Sequence, residues 1–508
     1  MYSDPVINEM YSDPVFDQMY SDPVFSVLHL VPMQVGGIDR HVRDIVAAVG
    51  RRQAIWHVSD TLDVLELSGE PRFIPIEPSL LARPGAGALA NFLRDAKVGI
   101  VHAHNVDAAT RARLGWLREH LHVPYLVTLH DVAFLNPRAF EGDGMPQPDE
   151  SWIEAVRASI EGAAQVIAPS AFIRDLAAKA FPDAPLAIIA NGLATDAAAR
   201  PRLEPRADYL AQAPKHVVAV AGAIGPHKGS ELIEALPALL EGSGIGIVVI
   251  GYTDRRLAAG WVVPGRLYVH GPYDEDELVS WLRGYQAEVA LFPGMLPESF
   301  SYTLSQAWAA GVPALVAPVG ALEERVVAHG GGWVLPGAFN APSIAAKLRE
   351  LFSRQGEAEV KRVKSSLQAN DPSRIPTLPA MARDLDILYA RFAAPAADGT
   401  AVPDAKALEA LVAANLDGMV FRRELVKLSG ELAELRAWST QREKDNGAWI
   451  AKLQADIDTL NAGLAREVEE HRRLGGEIVQ LGIHKQAFDL LPEIVRKLLL
   501  KRILDARA

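Results

Sequence analysis

Along residues 25–392, short apolar runs alternate with longer stretches of helical period, and no other feature restricts the fold as much. Runs at 25–31 (FSVLHLV), 54–58, 72–76, 98–103, 125–129, 165–168 and 186–189 read as strands. Helical patterns separate them, for example at 108–120, 152–162 and 171–180. Strand alternating with helix predicts a doubly wound parallel sheet. Residues 191–214 are rich in Ala, Pro and Arg and have little periodicity, so they read as a link. A second series follows, with strands at 216–221, 246–250, 267–269, 289–292 and 314–317 and helices at 230–240, 274–283 and 302–310. A helix at 378–392 closes it. The expected domains are 25–195 and 196–377, with 378–392 as a closing helix. At 508 residues the chain exceeds one hydrophobic core, and two α/β domains place a cleft between them, a common site for small ligands.

The formal net charge is −12, whereas neutralising a phosphate backbone needs a basic surface, so nucleic acid is not an expected partner. There is no cysteine, which removes disulfides, thiolate nucleophiles and Cys-ligated metals and fits a reducing cytoplasm. No apolar run approaches the roughly 20 residues of a membrane span. The N-terminus has neither a basic n-region nor an apolar h-region, so no secretory signal is expected.

The flanks have a different character. Residues 1–24 lie within three copies of a nine-residue unit (MYSDPVINE, MYSDPVFDQ, MYSDPVFSV). The period is too short for a solenoid, and a disordered extension is expected. Residues 393–404 have linker composition. Over 405–484, Leu425, Leu428, Leu432 and Leu435, then Leu453, Ile457, Leu460 and Leu464, form an apolar seam that continues to Leu474, Ile478 and Leu481. Its centre is polar at Ser439, Arg442 and Asn446. A coiled coil capable of homo-oligomerisation is expected, with a helical hairpin turning at Gly447 as the alternative. Residues 485–508 read as a basic amphipathic helix carrying Arg496, Lys497, Lys501, Arg502 and Arg507, suited to an anionic membrane surface, to capping the coiled coil or to a protein partner.

Four groups of residues at strand ends point towards the cleft. Gly36 and Gly37 stand at a strand-to-helix turn, where a ligand approaches backbone and a helix N-terminus favours anions. His102 and His104, two apart, face the same side of a strand, and His130-Asp131 ends another. These histidines have the makings of a metal site, but no independent ligand motif accompanies them. They are read instead as hydrogen-bonding groups for loops or substrate hydroxyls, with no metal or other cofactor expected. GAIGPHKG (222–229) departs from the Walker spacing, yet Gly225, His227 and Lys228 would cradle a diphosphate at a helix start. FPGMLPESFSYTLSQAWAAGVPALVAP (292–318) reads as strand, loop, helix and strand, with Glu298 at the loop and Gln306 on the helix. In open α/β sheets that edge is where ligands bind.

Taken in order, these pieces resemble the retaining glycosyltransferases of group 1, or family 4, which have the GT-B fold of two Rossmann-like domains facing a cleft. The family's marks present here are the Gly-Gly loop, the HAH and LHD strand ends, Ala168-Pro169-Ser170, Asn191-Gly192, the Lys-Gly loop and the Glu298 motif leading to AAGVP. The resemblance implies a nucleotide-sugar donor held mainly by the second domain and a glycan or lipid-linked acceptor held mainly by the first. It implies that Lys228 meets the donor diphosphate, that Glu298 meets sugar hydroxyls near the reacting centre, and that His130 approaches the transferred sugar. Backbone groups of Ser299, Phe300 and Ser301 and the side chain of Gln306 would complete the donor site. It further implies retention without a metal, with the acceptor entering on the face that the leaving phosphate departs from.

Two positions depart from the pattern. Gln306 stands where the family has a second Glu, and Ala223 where it often has Arg; His227 and Arg255 are the candidate replacements for that cation. The expected activity is hexosyl-type transfer in surface polysaccharide or lipid-linked glycan synthesis, by a cytoplasmic enzyme peripheral to the inner face of the membrane. The alternatives are a catalytically degenerate GT-B scaffold or glycan-binding subunit of a synthase complex, and a GT-B epimerase or phosphorylase.

Overall fold

The computed structural model describes residues 27–393 apart from 34–36, 61, 68–71, 77–80, 82–85, 142–143, 254–256 and 368–373. Gly36, Arg255, the N-terminal repeats, the coiled coil and the basic tail lie outside the described residues. Two α/β units follow one another, each built on a mostly parallel sheet.

The first sheet has eight strands in the order β4-β3-β2-β1-β5-β6-β7-β8. In chain order these are β1 Val27–Pro32, β2 Gln53–Val58, β3 Asp63–Leu67, β4 Arg72–Ile76, β5 Ile100–His104, β6 Tyr125–Thr128, β7 Gln165–Ala168 and β8 Leu186–Ile188. β1 is buried along its whole length, as a central strand covered on both faces must be. It pairs in parallel with β2 on one side and β5 on the other, setting His29 beside His102.

The sheet is not parallel throughout, because β2, β3 and β4 form an antiparallel meander. The sequence reading misses β3 (DVLEL), whose carboxylates suggest a surface. Asp63 is fully buried instead. It accepts hydrogen bonds from Trp56 Nε1 at 2.9 Å, Arg113 Nε at 2.7 Å and Ser59 N at 2.9 Å, so its charge is paired and its lone pairs are used.

The second sheet has seven strands in the order β11-β12-β10-β9-β13-β14-β15. They are β9 His216–Ile224, β10 Ile245–Thr253, β11 Gly260–Val263, β12 Leu267–Gly271, β13 Val289–Phe292, β14 Ala314–Val316 and β15 Gly332–Val334. Only the edge strand β11 is antiparallel among the described pairings. In both sheets two neighbouring central strands, β1 and β5 or β9 and β13, send their onward connections to opposite sides. Such topological switch points open a crevice at the carboxyl ends of the strands.

The last described helix, Leu378–Phe392, follows the second series in sequence but packs on the first sheet. Met381, Ala382, Leu385, Leu388 and Tyr389 lie against Val27, Ile45, Val49, Ile100 and Leu126. The outgoing and returning chains pair where they pass: Leu193 N donates to Pro376 O and Leu378 N to Leu193 O, both at 2.8 Å. At Gly192 an added Cβ would stand 2.5 Å from Leu378 Cα and from Thr377 O, both backbone neighbours that cannot step aside. Gly192→Ala should therefore destabilise the protein by about 2 kcal/mol or more, read from the urea midpoint at unchanged slope.

Candidate active site

The carboxyl ends of β9 and β13 bring the Lys228 loop and the Glu298 loop together. β9 runs into a 3-10 turn, Pro226–Lys228, and then into the helix Ser230–Leu239. Gly229 has φ +81, and a Cβ there would meet Pro293 O at 2.3 Å. The loop after β13 thus lies directly against the loop after β9, and glycine supplies both the left-handed φ and the clearance. Lys228 Nζ stands 3.6 Å from Glu298 Oε1, with both side chains part-exposed. A pair this exposed is worth about 1 kcal/mol or less, so an anionic ligand can take the ammonium. The backbone N–H groups of Lys228, Gly229 and Ser230 already donate to the carbonyls of Gly225 and Pro226. Those three N–H groups are therefore used within the loop, which leaves the part-exposed Lys228 ammonium as a group that can meet an anion. His227 folds back so that its ring lies 2.9 Å from where a Cβ on Gly225 would stand.

Glu298 is held from beneath. Gly320, at φ +75, leaves room for the backbone of Pro297 and Glu298, and Ala321 N donates to Glu298 O at 2.9 Å. Ser301 adopts φ +73, a costly conformation for a residue with a side chain. Its hydroxyl caps the helix Tyr302–Ala309 by accepting from Leu304 N at 3.3 Å.

Arg325 fixes this strained turn. It is buried, and it donates to Phe300 O at 2.9 Å, Ser301 O at 3.0 Å and Ser305 Oγ at 2.8 Å. Its guanidinium lies 4.0 Å over the Phe300 ring, and burial lowers its pKa to about 9. Phe300 is itself buried, so its backbone is what this turn positions. The sequence reading passes over Arg325, because an arginine on a helix (Gly320–His329) reads as a solvated charge.

Gln306 is buried, and its amide nitrogen donates to Glu275 O at 2.7 Å. A carboxylate could not make that bond without first being protonated, which gives a structural reason for glutamine at this position. Ala223 is exposed on β9. Gly37 begins the helix Gly37–Ala48, with open space where a Cβ would stand.

The first domain contributes a cluster of histidines. His29 Nδ1 is 3.0 Å from His104 Nε2, and His104 Nδ1 is 2.9 Å from His130 Nε2. His102 reaches Tyr389 OH and Thr128 Oγ1, each at 2.7 Å. His41 Nδ1 is 3.0 Å from Tyr302 OH, which belongs to the second domain. Burial is the main cause that lowers the pKa of His29 to about 4 and holds His41, His102, His104 and His130 well below the ordinary 6.5.

The rings of His29, His102 and His104, and those of His41, His104 and His130, are close enough to be considered as metal ligands. The 2.9 and 3.0 Å separations fall short of the roughly 3.3 Å expected between two nitrogens on one tetrahedral ion, and they are hydrogen-bond distances. Asn105 orients the segment at His130: its Oδ1 accepts from His130 N and its Nδ2 donates to Asp131, both at 2.9 Å. Asp131 is buried enough that its pKa rises.

The cleft is bridged at several points. Ser299 Oγ donates to His130 O at 2.5 Å, so the loop that follows Glu298 and the segment that carries His130 meet from opposite domains. Arg40 pairs with Glu275 at 3.2 Å and lies over the Tyr302 ring at 5.0 Å. Glu324 accepts from Ala171 N at 3.1 Å and Phe172 N at 2.5 Å, so a carboxylate of the second domain covers the N-terminus of the helix Ala171–Ala180. Arg40, Tyr302, Gly320 and Glu324 carry no motif, and only the fold shows what they do.

Residues 35–197 match the family described as Glycosyltransferase Family 4, and residues 202–366 match Glycosyl transferases group 1. Residues 35–197 and 202–366 thus carry the two domains of the group 1/family 4 glycosyltransferases, and the described residues have the GT-B fold. No curated sequence matches the chain. Among solved structures it resembles Anabaena Alr3699/HepE in complex with UDP and glucose, at 15% identity and TM-score 0.53 over 72% of this chain and 99% of that one. It resembles sucrose-phosphate synthase from Thermosynechococcus elongatus at 18% identity and TM-score 0.51, over 72% of this chain and 98% of that one. A trehalose-6-phosphate synthase studied for glycosyl transfer with retention aligns at 12% identity and TM-score 0.50, over 72% of this chain and 99% of that one.

Two outcomes follow from the geometry. Arg325→Met leaves the buried Phe300 and Ser301 carbonyls without donors and should cost about 3 kcal/mol, with hydrogen exchange quickened across 299–304. The buried histidines stay neutral in the fold, while the unfolded chain takes up protons below about pH 6.5. Stability should be complete above that pH. It should drain as the pH falls towards 4, by up to about 1.4 kcal/mol per unit for each histidine, measured as urea midpoints across the range.

Proposed function

We propose that the chain transfers a sugar from a nucleotide-sugar donor to a glycan or lipid-linked acceptor, with retention of configuration. The observation that carries this reading is the Lys228–Glu298 pair, set at the switch point of the second sheet and faced across the cleft by His130. The family matches support a glycosyltransferase, and UDP with glucose in the HepE complex is the kind of ligand such a cleft would take.

In this reading the diphosphate gains charge as its bond to the anomeric carbon breaks, and Lys228 stabilises it. Glu298 orients sugar hydroxyls and favours the positive charge of an oxocarbenium-like state. The acceptor oxygen bonds the anomeric carbon on the face that the phosphate leaves, and its proton passes to that phosphate. No step requires a metal. Gly37, Gly225, His227, Ser299, Phe300 and Ser301 shape the donor pocket around these groups, and Gln306 supports it from beneath through Glu275.

A surface polysaccharide or lipid-linked product, made at the cytoplasmic face of a membrane, is the setting that the basic tail and coiled-coil pattern suggest. Among the described residues no helix is long and apolar enough to cross a membrane.

The buried, already bonded Gln306 and the neutral Ala223 favour one other reading, a GT-B scaffold that binds sugar nucleotide or glycan without turnover. A turnover assay with a panel of nucleotide sugars separates the two. Glu298→Ala and Lys228→Ala should each lower turnover by on the order of 10²-fold or more, Lys228→Ala also raising the donor KM. Unchanged turnover in both variants would remove these residues from the site, and saturable binding with no turnover in the parent chain would support the scaffold.

A further inference from the structure

The histidines beneath the cleft form a chain with a definite direction, and that direction begins at Gln53. The amide nitrogen of Gln53 lies among three carbonyls near the end of the helix Gly37–Ala48: Val49 O at 3.1 Å, Val46 O at 3.3 Å and Ile45 O at 3.5 Å. Carbonyls only accept, so the amide can sit one way round, with Oε1 towards His29 Nε2 at 2.8 Å. His29 must therefore carry its proton on Nε2.

His29 is neutral, so its Nδ1 is a lone pair and the 3.0 Å contact there is donated by His104 Nε2. The same reasoning makes His104 Nδ1 an acceptor, so the 2.9 Å contact beyond it is donated by His130 Nε2. Each proton position is forced by the one before it. His29 and His104 are fully buried, while His130 is part-exposed beside Ser299 and the cleft.

We infer that Gln53, His29 and His104 act as positioning residues that lock the part-exposed His130 in the tautomer protonated on Nε2, which leaves Nδ1, the ring nitrogen not bonded to His104, as an obligate hydrogen-bond acceptor for a ligand in the cleft. Its ligand is then a hydrogen-bond donor, and on the glycosyl-transfer reading above that donor is a hydroxyl of the bound sugar. The arrangement discriminates. A deoxy sugar lacking that hydroxyl, or a sugar bearing an acceptor-only group there, would leave a buried lone pair unpaired or facing another, a loss larger than that of an ordinary hydrogen bond. The branch through His102, Thr128 and Tyr389 ends in hydroxyls that both donate and accept, so it sets no direction of its own.

The tautomer is measurable without substrate or activity. In the full chain labelled with ¹⁵N-histidine, the His130 signals are identified by their loss in His130→Asn. At pH 7 they should show a protonated Nε2 and a lone-pair Nδ1. His104→Gln can preserve the direction, because an amide spaces its donor and acceptor much as an imidazole spaces its nitrogens, whereas His104→Leu cannot. His104→Leu should mix the His130 tautomers and lower turnover by on the order of tenfold to a hundredfold, and His104→Gln should restore both towards the parent values. Gln53→Met should mix the tautomers from the far end of the chain.

A parent spectrum with His130 protonated on Nδ1, or as an imidazolium at pH 7, overturns the inference even if the variants fold poorly. So do identical His130 spectra in the folded His104→Leu and parent proteins. A parent chain with the expected tautomer but no glycosyl transfer upholds the relay and counts against the sugar-hydroxyl assignment alone.

Discussion

A parallel sheet must part where neighbouring strands send their connections to opposite sides, and both sheets of this chain have such a point. At β1 and β5 the parting lies above the buried histidine-bearing ends of the first sheet; at β9 and β13 it exposes the lysine loop and the Glu298 loop of the second. The site follows from these two openings facing one another. The helix Leu378–Phe392, returning to the first sheet, ties the domains together, and its Tyr389 touches His102 in the histidine cluster. The tie between the domains and the polar cluster under the cleft are therefore in direct contact.

The loops at these openings are costly to hold. Gly229 and Gly320 take left-handed conformations against neighbouring backbone, and Ser301 does so with a side chain. Such strain persists only where the surroundings over-determine it. Here Arg325 supplies much of that restraint, through hydrogen bonds to two consecutive carbonyls and a hydroxyl and through the Phe300 ring. The first domain uses a different device, a row of neutral histidines whose hydrogen bonds fix their rings without any buried charge. Both arrangements hold the groups at the cleft in place before a ligand arrives.

Much of this was legible in the sequence, for identifiable reasons. Continuous apolar strands betray a sheet covered on both faces, and the strand-end motifs mark loops whose glycines and charges serve backbone proximity and anions. Elements whose residues are satisfied by distant partners were hidden. β3 looks like surface until Arg113 and Trp56 reach Asp63, and β15 sits among Gly330, Gly331 and Gly332, which read as a turn. Gly332 is in fact a strand residue pressed against β14, where a Cβ would meet Ala314 O at 2.2 Å. Gln306 could be placed on its helix but not oriented, since its partner Glu275 belongs to a separate 3-10 turn, Glu275–Glu277. Arg325 and Glu324 stand side by side on one helix and read as solvated charges. One is buried beneath the site, and the other caps a helix of the opposite domain.

The central claim is that the facing ends of the two sheets form one site for a nucleoside diphosphate sugar. Calorimetric titration of the full chain with a panel of nucleotide sugars that differ in base and in sugar tests it most directly. The account predicts saturable binding of at least one member with a stoichiometry of one, displaced by the matching nucleoside diphosphate. A panel in which no member binds, at concentrations where the chain remains folded, would contradict it.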